Sequence, residues 1–130
     1  MSVAILYLSV DDVIALHENT LQHEGGLPGL RSLPLLESAV AMPMQQFGGV
    51  DLHATIFDKA AAYLFHLASN HPFNDGNKRV ATLAALVFLD VNGIQLTASN
   101  AALTRLVLQI AQSQLDKPAI ADWLAQNCAR

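Results

Sequence analysis

"NHPFNDGNKRVA", residues 70–81, is the stretch on which the reading of this chain turns. An apolar, alanine-rich run ends at His71, and another opens just after Lys78 and Arg79. Between the runs stand a proline, an aromatic ring, a carboxylate and a glycine flanked by polar side chains. Pro72 disfavours helical geometry in the residue before it, so a helix should stop there. The stretch is therefore a joint between two helices, and it is dense in groups that can do chemistry.

Working outward, the run from about His53 to Asn70 places Ile56, Ala60, Tyr63, Leu64 and Leu67 at helical spacing. From Gly76 to Asn92, Val80, Leu83, Ala84, Val87 and Val91 form one face, and Leu86 and Leu89 widen it. That breadth predicts a central, buried helix. Gly93 is a natural left-handed stop. Upstream, Ser9 with Asp12 reads as a capping pair for a helix to about His23. "EGGLPGLRS" breaks that helix, and Ser32 caps a short one over Leu35 to Met42. "MPMQQFGGVD" is a loop or a small hairpin. Downstream, Ser99 caps a helix to about Gln112, and Asp116 with Pro118 opens a last one holding Trp123 and Leu124. The expected fold class is all-α: one domain over 1–130, six helices with short joints, with or without a small β-hairpin flap.

Composition agrees. Apolar residues make up 52% of 130 and charged residues 14%, which suits a folded core and argues against disorder. Polar residues interrupt every apolar run, so no membrane span is expected, and the start lacks a basic leader. The single cysteine, Cys128, has no partner for a disulfide or a zinc site. Cytoplasmic residence is the expectation. The net charge is −4 with only seven Lys and Arg, so a long nucleic-acid backbone is a poor partner. Two of those seven cations, Lys78 and Arg79, sit side by side in the joint, which suits a small anion better.

A helix beginning near Gly76 offers free amides and a partial positive charge to phosphate. Gly76 lets an anion approach the backbone. Lys78 and Arg79 add charge and a forked donor. Asp75 can hold Mg²⁺ that also touches phosphate oxygens. His71 carries an imidazole, the side chain most often used to take a proton from an attacking hydroxyl. Phe73 plugs into the core and Pro72 stiffens the joint. The parts suit phosphoryl or nucleotidyl transfer. A plainer reading stands beside this one. Asn74 or Asp75 caps the next helix, His71 is a hydrogen-bonded helix-end residue, and the two cations are solvated.

"HPFNDGNKR" resembles the signature of the Fic/Doc superfamily. "YLSVDDVIALHE", "GGLPGLRS", "LLESAVAMPMQQFGG", "VFLDVNGIQL" and "ADWL" extend the likeness to the death-on-curing (Doc) branch over most of the chain. Adenylylating members usually carry a second glycine and a second arginine where this chain has Lys78 and Thr82. The resemblance implies a Doc-like toxin of a toxin–antitoxin pair that binds ATP with Mg²⁺ in a reversed sense and transfers its γ-phosphate. His71 would be the base toward a protein hydroxyl. Asp75 would hold metal or orient the acceptor, and Asn77, Lys78 and Arg79 would hold phosphates. It implies two partners: a threonine of elongation factor Tu as target, and an antitoxin whose segment folds as a helix into a groove. The alternatives are transfer of AMP or another phosphate-containing group by the same fold, and a non-catalytic antitoxin-binding module.

"TLQHEG", residues 20–25, matches an inhibitory pattern of self-inhibited Fic proteins, but the arginine that its glutamate would meet is Thr82 here. The match at Glu24 is read as coincidental. His66 lies off the spacing of a zinc-binding pair and reads as structural or partly exposed. His17 and His23 carry no separate signal. Trp123 reads as core or groove packing. Gly48 and Gly49 read as a plain turn or as a flap that docks a substrate segment.

Overall fold

The computed structural model describes residues 4–130. It holds six α-helices among those residues: α1 (Val10–Glu24), α2 (Leu33–Ala41), α3 (Ile56–Asn70), α4 (Asn77–Val91), α5 (Asn100–Ala111) and α6 (Lys117–Gln126). Strands β1 (Gln46–Phe47) and β2 (Val50–Asp51) form an antiparallel hairpin after a 3-10 turn at Met42–Met44. Strands β3 (Gln95–Leu96) and β4 (Cys128–Ala129) form a second small pair that ties the end of the chain back to the segment after α4.

Most helix starts follow local chemistry. Ser9 and Asp12 close a reciprocal capping box on α1. Ser32, Ser99 and Asp116 cap α2, α5 and α6 with their side-chain oxygens. Helix α3 begins at Ile56 rather than near His53, because Thr55 and Asp58 form a second capping box there. Gly48 and Gly49 both have positive φ, the geometry of a two-residue hairpin turn that joins β1 to β2.

The centre of the molecule is α3, which packs against α4, α6, α2 and α5. Its Ala60, Ala61, Ala62, Tyr63, Leu64, Leu67 and Ala68 are buried. Helix α4 packs against α3, α1, α5 and β3, and its buried face is Val80, Ala81, Ala84, Ala85, Phe88 and Leu89. Leu83, Leu86 and Val87 are only half-buried, and Val91 is 45% exposed. The alanines explain the rotation. Small side chains let two helices approach closely, so the alanine-rich edge of α4 meets α3 and the leucine edge is left toward a cleft. Tyr63 lies fully buried, donates to the Leu8 carbonyl and packs on Phe88. Trp123 packs against the core from α6.

One polar cluster pins α6 to α3. The Lys117 ammonium donates to Nε2 of both His53 and His66 at 3.1 Å each. Nearby, buried Lys59 donates to the His53 carbonyl and pairs with Asp51 at 3.1 Å. Burial, reinforced by the charge of Lys117, holds the His66 imidazole down to about 4. Unfolding returns it toward 6.5, so the unfolded chain binds more protons between those values. His66 should therefore cost the fold roughly 1–2 kcal/mol, once its partial exposure to screening solvent is allowed for, as pH falls from 6.5 to 4. Urea midpoints measured across that window should fall steadily, and His66→Leu should flatten the slope. An unchanged slope in the variant would assign the acid sensitivity elsewhere.

Candidate active site

The joint between α3 and α4 is built by three devices: a left-handed residue at each side and a collar from upstream. Helix α3 ends at His71, which has φ 48° and ψ 56°. The residue before a proline is ordinarily extended, so this left-handed geometry is an exception and is held by outside contacts. Arg31 supplies them, donating through Nε to the His71 carbonyl at 2.6 Å and through Nη2 to the Asn70 carbonyl at 2.9 Å. The His71 side chain stays exposed.

The segment 25–32 forms the collar. Arg31 and Ser32 donate their amides to the Pro72 carbonyl, and the Asn74 amide donates to the Gly29 carbonyl. The Asn74 side chain donates to the Pro28 carbonyl, and the Leu27 amide donates to Asp75 Oδ2. These bonds correct one expectation. Neither Asn74 nor Asp75 caps α4, because the collar engages both side chains. Gly76 takes the cap position instead, left-handed at φ 76°, with no side-chain cap bond on the helix. The first intrahelical donor is Val80, whose amide reaches the Gly76 carbonyl. The amides of Asn77, Lys78 and Arg79 precede it, and among the described residues no acceptor engages them.

Inside the joint, Phe73 is 2% exposed and anchors the loop as expected. Its burial is worth about 1.5–3 kcal/mol. The Asn77 side chain grips the Phe73 backbone at both ends, accepting from its amide at 2.9 Å and donating to its carbonyl at 3.0 Å. Asn77 can therefore offer an anion its main-chain amide, while its side chain shapes the loop.

The Asp75 carboxylate is held below its ordinary range by the Leu27 and Gly76 amides, with Arg79 adding to them. It is thus ionised at neutral pH, and each oxygen takes one backbone donor and keeps a free lone pair. Mg²⁺ fits that donor set, since it is commonly bound by one carboxylate together with substrate phosphates.

Two glycines frame the Arg79 guanidinium. A Cβ added at Gly26 would lie 2.9 Å from Arg79 Nη2, and one at Gly76 would lie 3.1 Å from the same atom. Arg79 also pairs with Glu24 at 3.2 Å. Glu24 was expected to lack a partner because Thr82 stands where a second arginine would be. It meets the first arginine instead, in a surface pair worth under about 1 kcal/mol. Thr82 donates its hydroxyl to the Lys78 carbonyl.

His71, Asp75, Gly76, Asn77, Lys78 and Arg79, the six positions singled out in the sequence, line one cleft of about 280 Å³. Lys78 and Arg79 also border a larger cleft of about 590 Å³ between α1, α4 and α5, whose apolar wall includes Leu83, Leu86, Leu103, Val107 and Leu108. Three neighbours of the joint were missed in the sequence. Arg31 and the Gly26–Leu27 step lie in an irregular segment with no periodic signal. His17 did leave one: it shares the buried stripe of α1 with Val13 and Thr20, at a position where an apolar residue is the rule.

This chain belongs to the Fic/DOC family, whose model matches residues 7–89, and within it to the Doc branch. It is 45% identical to "Toxin Doc" of Mycolicibacterium smegmatis over 92 residues, which cover 71% of this chain and 68% of that relative. It is 35% identical to "Protein kinase doc" of Escherichia phage P1 over 118 residues, 91% of this chain and 92% of that relative. No helix among the described residues is long and apolar enough to cross a membrane.

Proposed function

We propose that this protein is a Doc-like toxin that transfers the γ-phosphate of ATP to a protein hydroxyl, with a threonine of elongation factor Tu as the target. One observation carries the reading: six chemically suited residues meet in one cleft at the only uncapped helix start among the six α-helices described. The names of the two relatives, a toxin and a protein kinase, point the same way.

In this reading the amides of Asn77 and Lys78, with the Lys78 and Arg79 side chains, bind the phosphates and oppose charge that grows during transfer. Asp75 would hold Mg²⁺, which supplies further neutralisation at phosphate oxygens. His71, exposed at the mouth, takes the proton of the attacking hydroxyl. Lys78 fills the position that adenylylating relatives leave to glycine, and this favours phosphate over AMP as the transferred group.

The larger cleft suits the antitoxin. Its leucine wall fits the apolar face of an amphipathic helix. A helix seated there would also cover Lys78 and Arg79, the two cations that both clefts share.

Intact-mass spectrometry of elongation factor Tu, incubated with this protein, ATP and magnesium, tests the reaction. Addition of one phosphate is the expected result. A gain of one AMP would replace the kinase with a nucleotidyltransferase. No gain at all, with toxicity intact in His71→Ala, would leave a non-catalytic antitoxin-binding module.

A further inference from the structure

His17 is buried at 2% exposure, on α1, far along the chain from the motif. Its ring lies flat on Phe73, with centroids 3.8 Å apart and planes 9° from parallel. Its Nε2 lies 2.7 Å from the Asp75 carbonyl oxygen. A carbonyl only accepts, so Nε2 carries the proton. We propose that His17 is a positioning residue of the site: its Nε2–H holds the Asp75 carbonyl inward and so keeps the free amides of Asn77 and Lys78 aimed into the motif cleft. The proposal rests on the reading that those amides take phosphate.

The argument concerns one peptide plane. The Asp75–Gly76 peptide has its carbonyl on His17 and its N–H on Asp75 Oδ1 at 2.8 Å, so both ends are pinned. The residue after it is a glycine at φ 76°. Glycine occupies negative φ as readily as positive, so rotation of this plane meets little steric resistance. Rotated outward, the Asp75 oxygen would present its negative end toward the cleft where anions are to sit. Phe73 fixes the loop's depth but has no donor for the carbonyl. Thr20 does not compete for it either, since its hydroxyl donates to the carbonyl of His17 itself. Among the described residues, the His17 imidazole is thus the one side chain that holds that plane's oxygen.

Two variants separate the hydrogen bond from the stack. His17→Phe keeps a ring on Phe73 and loses the donor. His17→Gln keeps an amide donor near Nε2 and loses the ring. Three measurements apply: kcat and KM for ATP, backbone amide spectra of Gly76, Asn77 and Lys78, and titration with inorganic tripolyphosphate and magnesium. His17→Phe should lose about 10-fold or more in both kcat/KM and tripolyphosphate affinity, and show exchange broadening at Gly76 and Asn77. His17→Gln should stay within about 3-fold of the parent.

A folded His17→Phe with parental amide spectra and affinity would overturn the proposal. So would a folded His17→Gln as impaired as the phenylalanine variant. Should the variants not fold, long-range proton–nitrogen spectra of the unmodified protein decide the matter. An Nε2–H tautomer supports the assignment, and an Nδ1–H tautomer ends it. If the unmodified protein transfers nothing from ATP, the kinase reading fails, while the amide and tautomer spectra still judge His17.

Discussion

His71→Ala should reduce transfer to elongation factor Tu by about 10²–10⁴-fold, the usual contribution of a positioned general base. The imidazole is exposed and is not part of the core, so loss of the fold is not expected. Alanine does carry one structural cost. Position 71 is left-handed, and alanine tolerates that region less well than histidine or asparagine. A lowering of the melting temperature by a few degrees is therefore expected, on the order of 1 kcal/mol. His71→Asn is the cleaner variant, because asparagine accepts the left-handed backbone and removes the base. Both should be equally inactive with γ-labelled ATP, and the asparagine variant should melt nearer the parent. Activity in a folded His71→Asn protein would remove the base from the mechanism.

Gly26→Ala should be nearly as damaging, although residue 26 lies outside the motif. Its Cβ would come 2.8 Å from Asp75 Oδ2 and 2.9 Å from Arg79 Nη2, at a backbone φ of +118°. The carboxylate cannot retreat without disturbing its bond to the Leu27 amide, and the guanidinium cannot without leaving the slot between two glycines. A loss of about 100-fold in transfer is expected from misplacing these groups. The strained backbone adds about 1–3 kcal/mol of destabilisation. Gly25→Ala is the control. It shares a positive φ, at +77°, but its Cβ would meet nothing within 4 Å. It should cost stability and leave transfer at temperatures well below melting close to the parent's. Equal losses of transfer in the two variants would refute the close-approach account.

Much of this was legible in the chain itself. Helix starts were readable at Ser9, Ser32, Ser99 and Asp116, where a short polar side chain does the capping. The start of α3 was placed too early because the local Thr55–Asp58 capping box was passed over, while His53 instead joins a buried cluster with Lys117 across 64 residues. The buried face of α4 was rotated because hydrophobicity favours leucine, whereas close helix contact selects alanine. The six proposed site residues could be singled out because they lie close together in the chain and are chemically unusual. Their supports were not: Leu27 and Gly29 act through main-chain groups that no side chain advertises, and the Arg31 guanidinium reaches its carbonyls from an irregular segment without periodic signal. His17 shows the intermediate case. A titratable residue on a buried stripe was visible, but only the fold gave it an acceptor.

The collar of residues 25–32 has a consequence for judging other sequences by their signatures. Alignment of the cleft depends on a short tract some forty positions upstream, joined to it largely through peptide groups. An insertion of a single residue between Gly26 and Arg31 would slip that register and disarm the protein with every motif letter unchanged. The spacing of this tract therefore belongs beside the signature itself when other sequences are judged.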